Sequence, residues 1–220
     1  MEQEHPRRGY SSPLRAEQAL LTRRRVLDAA AALLTEHGYL GTTLTAVAQR
    51  AGVSVQTVYN AVGGKPALLK AVYDVSLAGD DDAAPMAARP LFQAMIAADT
   101  GPACLRHYAR IARALHERVL PLVVMTLAQA ATGDPDLRAF ADTIESERAT
   151  GTANLAHHLA TRFGLRDGLD PAEAADLLWA LTSPELADRL VNRRQWGWDR
   201  FERWLTTTMT QSLLPPEQGP

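Results

Sequence analysis

Residues 46–69 read AVAQRAGVSVQTVYNAVGGKPALL, and the glycines in this stretch constrain the fold more than any other feature. Apolar residues recur at helical spacing, but Gly52 and the pair Gly63 and Gly64 cut the pattern into pieces. One piece, Val55 to Ala61, is only seven residues long. Isolated helices shorter than roughly 12 to 15 residues are marginal in water. A helix this short forms only where neighbouring elements hold it at a fixed angle.

The flanking residues supply those neighbours. From Arg15 to His37 two apolar rows, Val26, Ala30, Leu33 and Leu27, Ala31, Leu34, predict a helix that ends at Gly38. Thr43 stands where an N-cap belongs, and Leu44 to Ala51 gives about two turns with Leu44, Val47, Ala48 and Ala51 on one face. Gly52 ends that helix. Ser54 is placed to cap the next, which has Val55, Val58 and Val62 inward and Gln56, Thr57, Tyr59 and Asn60 outward. Lys65 and Pro66 then open a fourth helix, since a proline near the start forfeits no intrahelical bond. Leu68, Leu69, Val72 and Val75 line its buried side.

At Gly79 the composition changes: GDDDAAPMAARP is acidic and rich in Ala and Pro, a connector pattern. The expected organisation is a flexible N-terminus over 1–14, one domain over 15–78, a second over 79–214 and a disordered tail over 215–220. The second domain reads as helical throughout, at about 91–98, 103–118, 121–131, 135–163, 171–193 and 198–213, with no convincing strand. Asp134-Pro135 and Asp170-Pro171 each combine a cap with a first helical residue. The fold class expected is therefore all-α.

Charge is unevenly placed. Residues 1–79 hold nine Lys or Arg against six Asp or Glu, and residues 80–220 hold fourteen against nineteen. A basic front end fits contact with a polyanion. Cys104 is the sole cysteine, which excludes an intramolecular disulfide and reads as a small buried hydrophobe rather than a redox sensor. No targeting signal is evident in MEQEHPRRGY, and the longest uncharged apolar run, VLPLVVM, falls far below the roughly 18 residues of a membrane span. A soluble, cytoplasmic protein with no membrane partner is expected.

Two short helices joined by a tight glycine turn, the second with a polar outer face, form the layout of a DNA-reading helix-turn-helix. Ala48 supplies a small residue where the helices cross, Gly52 the turn, and Val58 a β-branched anchor. An ordinary helical hairpin is the alternative from these residues alone. The residues Val26, Leu27, Asp28, Ala29, Ala30, Leu33, Leu34, Gly38, Thr42, Thr43, Val47, Ala48, Ala51, Gly52, Val53, Ser54, Thr57, Val58, Tyr59, Lys65, Leu68 and Leu69 together resemble the N-terminal signature of the tetracycline-repressor (TetR) family of transcriptional regulators. The match covers about residues 20–75. Residues 176–205, DLLWALTSPELADRLVNRRQWGWDRFERWL, are similar to the last two long helices of many members. The chain departs from the pattern at Val62 and Ala61, where larger rings are common, and at Gly64, where Ser or Thr is frequent.

The resemblance implies a helical homodimer with a small DNA domain and a larger domain that binds a small-molecule effector and dimerises. Phosphate contacts fall to Lys65, Thr43 and Tyr59, with the Arg23 to Arg25 run nearby. Base-edge contacts fall to Ser54, Val55, Gln56, Thr57 and Asn60, with Thr45 reaching from the preceding helix. Gln and Asn pair bidentately with adenine, and Val55 suits a thymine methyl. Tyr59 also reads as partly core, and the three arginines as a solvated helix start. For the effector, His107, Tyr108, Met125, Thr126, Gln129, His158 and Trp179 are polar or adaptable groups among apolar neighbours within 85–182. For the dimer, Leu177, Leu178, Leu181, Leu186 and Leu190, with Phe201, Trp204, Leu205 and Met209, form stripes suited to a four-helix interface. Their alternative is that they face their own core.

The expected function is a ligand-responsive regulator, a repressor that binds a pseudo-palindromic operator on double-stranded DNA as a homodimer and is released by a small, largely hydrophobic effector. Two alternatives are a sequence-tolerant architectural DNA-binding protein and a helical enzyme. Against an enzyme stand the lack of a Gly-rich phosphate loop, of paired Cys and of GxSxG in the sequence. His157 and His158 are adjacent, with no His four residues from either, so no metal site, catalytic residue or cofactor is expected.

Overall fold

A computed structural model describes residues 13–79 and 85–216. Every regular element among them is helical, as the periodicity predicts. The chain divides into two compact units between Val72 and Tyr73. The division falls inside a helix rather than at the compositional break at Gly79, because the ring of Tyr73 packs edge-on against Phe140 at 5.5 Å, well along the second unit.

The first unit is built from α1 (Pro13–Gly41), α2 (Leu44–Ala51), α3 (Val55–Val62) and the start of α4 (Lys65–Ala78). Gly38 does not end α1 outright. It turns the chain with φ 69°, and a further turn follows that brings Tyr39 into the core. The Thr42 hydroxyl donates to the Gly38 carbonyl at 2.7 Å, which satisfies a carbonyl exposed by the turn. Val26, Ala30, Leu34, Val47, Val58 and Leu68 close the core. Full burial of Val58 stabilises the unit by roughly 1.5 to 3 kcal/mol and ties α3 to the scaffold.

The second unit contains α5 (Pro90–Ile96), α6 (Gly101–Ala130), α7 (Pro135–Arg162), α8 (Pro171–Leu181), α9 (Pro184–Ala187) and α10 (Trp198–Leu213), with one π-turn segment over Asp188–Arg193. The caps at Asp134 and Asp170 form as expected, the latter a full capping box with Glu173. Two helix expectations are corrected. The segments 103–118 and 121–131 are one helix, because Leu120 and Val123 on either side of exposed Pro121 are buried and offset the roughly 3 kcal/mol that an interior proline costs. The segment 171–193 breaks at Thr182 and Ser183. The Ser183 hydroxyl accepts from the Leu186 amide and Pro184 opens α9.

No helix among the described residues is long and apolar enough to cross a membrane. Cys104 is buried in the core of this unit, and burial pushes its thiol pKa up to about 11, where it behaves as a hydrophobe.

Candidate nucleic-acid interface

The α2–turn–α3 segment is fixed by caps at each end. The Thr43 hydroxyl accepts from the Ala46 amide at 3.1 Å, and the Ser54 hydroxyl accepts from the Thr57 amide at 3.0 Å. Gly52 adopts the left-handed conformation (φ 65°, ψ 41°), and the Val53 amide returns to the Ala48 carbonyl at 3.0 Å. These bonds satisfy backbone groups that short helices otherwise leave open, and they set the angle between α2 and α3.

Arginines of α1 hold the other ends. Arg23 Nη1 donates to the Ala61 carbonyl at 2.9 Å, and Arg25 Nη2 donates to the Ala51 carbonyl. Each cation meets the negative end of a helix. Arg50 and Glu36 form a bidentate pair at 2.7 Å for both bonds, which keeps the Glu36 carboxyl below its usual range. Arg23 and Arg25, two of the three arginines placed near phosphate by sequence, therefore brace the motif from within the unit.

Opposite the buried Val58, the face of α3 is open. Tyr59 is 58% exposed and Val55 41% exposed, which settles Tyr59 as a surface residue and turns Val55 outward instead of inward. Ser54, Gln56 and Asn60 are also exposed, as are Thr43 and Thr45, while Thr57 is half-buried and shares a 2.8 Å contact between its hydroxyl and that of Ser54. Gln56 Nε2 donates to Asn60 Oδ1 at 2.9 Å, so the two amides lie side by side on that face. Lys65, at the first turn of α4, sits with its ammonium 4.3 Å above the Tyr39 ring.

Residues 26–72 match the family model described as bacterial regulatory proteins, tetR family. The chain carries a TetR-family DNA-binding domain at its N-terminus. The whole TetR-type architecture extends beyond it. A TetR transcriptional regulator from Chloroflexus aurantiacus J-10-FL is 22% identical with a TM-score of 0.62, covering 90% of this chain and 98% of the other. SmeT in complex with triclosan is 22% identical with a TM-score of 0.68, covering 91% and 99%. The transcriptional regulator FadR from Bacillus subtilis in complex with stearoyl-CoA is 14% identical with a TM-score of 0.66, covering 84% and 96%. No curated relative matches the sequence.

In the second unit of this TetR-type chain the effector candidates are spread over α6, α7 and α8. Burial raises the Tyr108 phenol pKa, and its hydroxyl is hydrogen-bonded to Thr182, at the end of α8. Thr126 is buried with its hydroxyl on the Leu122 carbonyl at 2.8 Å. Trp179 is exposed and covered by the Arg148 guanidinium, which also donates to the Trp179 carbonyl at 2.6 Å. His158 packs edge-on to Phe163 at 5.9 Å, and buried nitrogens of His107 and His158 make no hydrogen bond. Met125 and Gln129 are half-buried on the last turns of α6.

A pocket of about 270 Å³ lies elsewhere, between the end of α4, α5 and α6, with Phe92, Ile111 and Leu115 on its walls and Arg89 and Arg118 among its lining. None of the effector candidates is among its lining residues. Arg118 stands seven positions after Ile111 on one helix face, next to an apolar row.

The dimer stripes also divide. Leu178, Phe201, Leu205 and Met209 are fully buried in the core of their own chain, so their alternative reading applies and they cannot face a second copy. Leu177 is exposed, and Leu181, Leu186, Leu190 and Trp204 are half-buried.

Proposed function

We propose that this protein is a ligand-responsive transcriptional regulator, a repressor that binds a pseudo-palindromic operator as a homodimer in the cytoplasm and leaves it when a small, largely hydrophobic effector binds. The observation that carries the reading is the exposed row Ser54, Val55, Gln56, Tyr59 and Asn60 on a short helix whose opposite face is locked by Val58. A short helix held this rigidly with its polar side open suits insertion into a major groove. Thr43, Tyr59 and Lys65 would contact phosphate, and Thr45 would reach the groove edge from α2.

Half-sites about 34 to 36 Å apart, one turn of the duplex, call for a two-fold pair of reading helices. Leu177 is exposed, and Leu181, Leu186, Leu190 and Trp204 are half-buried, so these are the stripe residues left to serve a dimer of the α8 and α10 regions. The effector reading draws support from the fold likeness to SmeT, solved with triclosan, and to FadR of Bacillus subtilis, solved with stearoyl-CoA. An effector that prefers one dimer geometry lowers DNA affinity by its differential binding, typically about 1 to 3 kcal/mol.

A gel shift with the intergenic DNA next to its own gene, against random duplex of equal length, tests the reading. Selective retention of the intergenic duplex is expected. Equal affinity for both duplexes would instead favour an architectural protein.

A further inference from the structure

The pocket of the second unit has a chemistry of its own. Its volume, about 270 Å³, lies just under the roughly 300 to 1,000 Å³ of drug-sized sites, which suits a small ligand. Phe92, Ile111 and Leu115 give it apolar walls, Arg89 and Arg118 give it two cations, and none of its lining residues is acidic.

Both guanidiniums are engaged at the last turn of α4. Arg89 Nη1 donates to the Ala78 carbonyl at 3.1 Å, and Arg118 Nη1 donates to the Ala78 and Leu77 carbonyls at 3.3 and 3.4 Å. The Arg118 bonds are long, and carbonyls at a helix end carry only part of a negative charge. Gly79 lets the guanidinium lie this close: with φ 84°, a Cβ there would come within 2.8 Å of Arg118 Nη1. A carboxylate is the stronger acceptor and takes a guanidinium bidentately.

We infer that this pocket binds an amphiphilic monoanion, a short aliphatic carboxylate whose chain lies on Phe92, Ile111 and Leu115 and whose head takes Arg118 and Arg89. This rests on the proposed ligand response and names the ligand class. Binding exchanges the weak acceptors at the end of α4 for a charged one. An octyl chain with a cationic head is the charge-reversed control for this ligand class.

Titration calorimetry of the full chain with octanoate, octanol and octylammonium tests this. Octanoate should bind at least tenfold more tightly than octanol, and octylammonium should not bind. Arg118→Gln should weaken octanoate about tenfold or more and leave octanol unchanged, whereas Arg118→Lys should recover part of the loss. Leu115→Trp should abolish octanoate and octanol binding alike by filling the cavity. Equal affinity for octanoate and octanol, or preference for octylammonium, overturns the inference. Operator binding measured in parallel separates the two readings: a chain that holds its operator but ignores octanoate remains a regulator with a different ligand.

Discussion

The guanidinium of Arg23, in α1, donates to the carbonyl of Ala61, in the last turn of α3, across 38 positions of sequence at 2.9 Å. Ala61 is one of the two places where the chain lacks the larger rings of its resemblance, and an arginine from another helix reaches the backbone there. Arg25 does the same for α2 at Ala51. The pair converts α1 into a brace for both halves of the DNA-reading motif.

Salt dependence distinguishes a brace from a phosphate contact. Removing a phosphate contact lowers the slope of log affinity against log salt by about 1, while loosening the reading helix lowers affinity with the slope intact. Arg23→Ala should therefore weaken operator binding with an unchanged slope and cost roughly 1.5 to 3 kcal/mol of stability, the usual range for a hydrogen bond to a charged group. Lys65→Ala should reduce the slope. Fluorescence anisotropy across a salt series measures both, and a reduced slope for Arg23→Ala would place Arg23 on the phosphate backbone after all.

Local chemistry was legible where it was local. The caps at Thr43, Ser54, Asp134 and Asp170 and the turn at Gly52 depend on residues two or three positions away, and each forms as its sequence predicts. What depended on distant partners was not legible. The roles of Arg23 and Arg25 require knowing which carbonyls lie across the unit. Helix continuity through Pro121 depends on how much apolar surface Leu120 and Val123 bury. The stripe on α10 has one period whether it faces its own core or a second copy, so Phe201, Leu205 and Met209 could not be assigned from spacing. The break after Thr182 was available in principle, since Ser183-Pro184 repeats the pairing of cap and proline read correctly at two other helix starts.

Gln56 and Asn60 share a hydrogen bond on the open face of α3, and each amide can also pair with adenine. Gln56→Ala should flatten discrimination at one base pair of each half-site by about 1 to 3 kcal/mol and leave non-specific affinity nearly unchanged. Binding to a set of operators carrying single base-pair changes reads this directly. Uniform weakening across the set would mean that Gln56 supports the helix and does not read sequence.

Gly52 is left-handed at φ 65°, and a Cβ there would stand 3.0 Å from Arg25 Nη2. Gly52→Ala thus meets two costs, the roughly 1 to 2 kcal/mol of left-handed backbone for a residue with a side chain and displacement of the Arg25 brace. Urea unfolding should show a loss of at least about 1 kcal/mol, with operator affinity falling alongside. Wild-type stability in this variant would show that the turn relaxes to another conformation at no cost.

His116, 6% exposed on α6 and edge-on to Phe201 at 6.1 Å, makes stability depend on pH. Burial lowers its pKa to about 4 from 6.5, and the charge of Arg148 lowers it further in the same direction. The unfolded chain therefore binds a proton at His116 that the folded chain refuses between these two values. Unfolding takes up the proton, so stability is full above about pH 6.5 and is lost as pH falls toward about 4. Between about pH 7 and about pH 5 this one group should remove about 2 kcal/mol. His116→Leu keeps an apolar body beside Phe201 and has no proton to bind, so the difference between wild type and variant isolates the contribution from that of the other histidines. Urea titrations of both proteins at the two pH values should give a wild-type loss larger by that amount; parallel losses would mean that the imidazole is protonated inside the fold, held by a partner such as the Thr182 backbone.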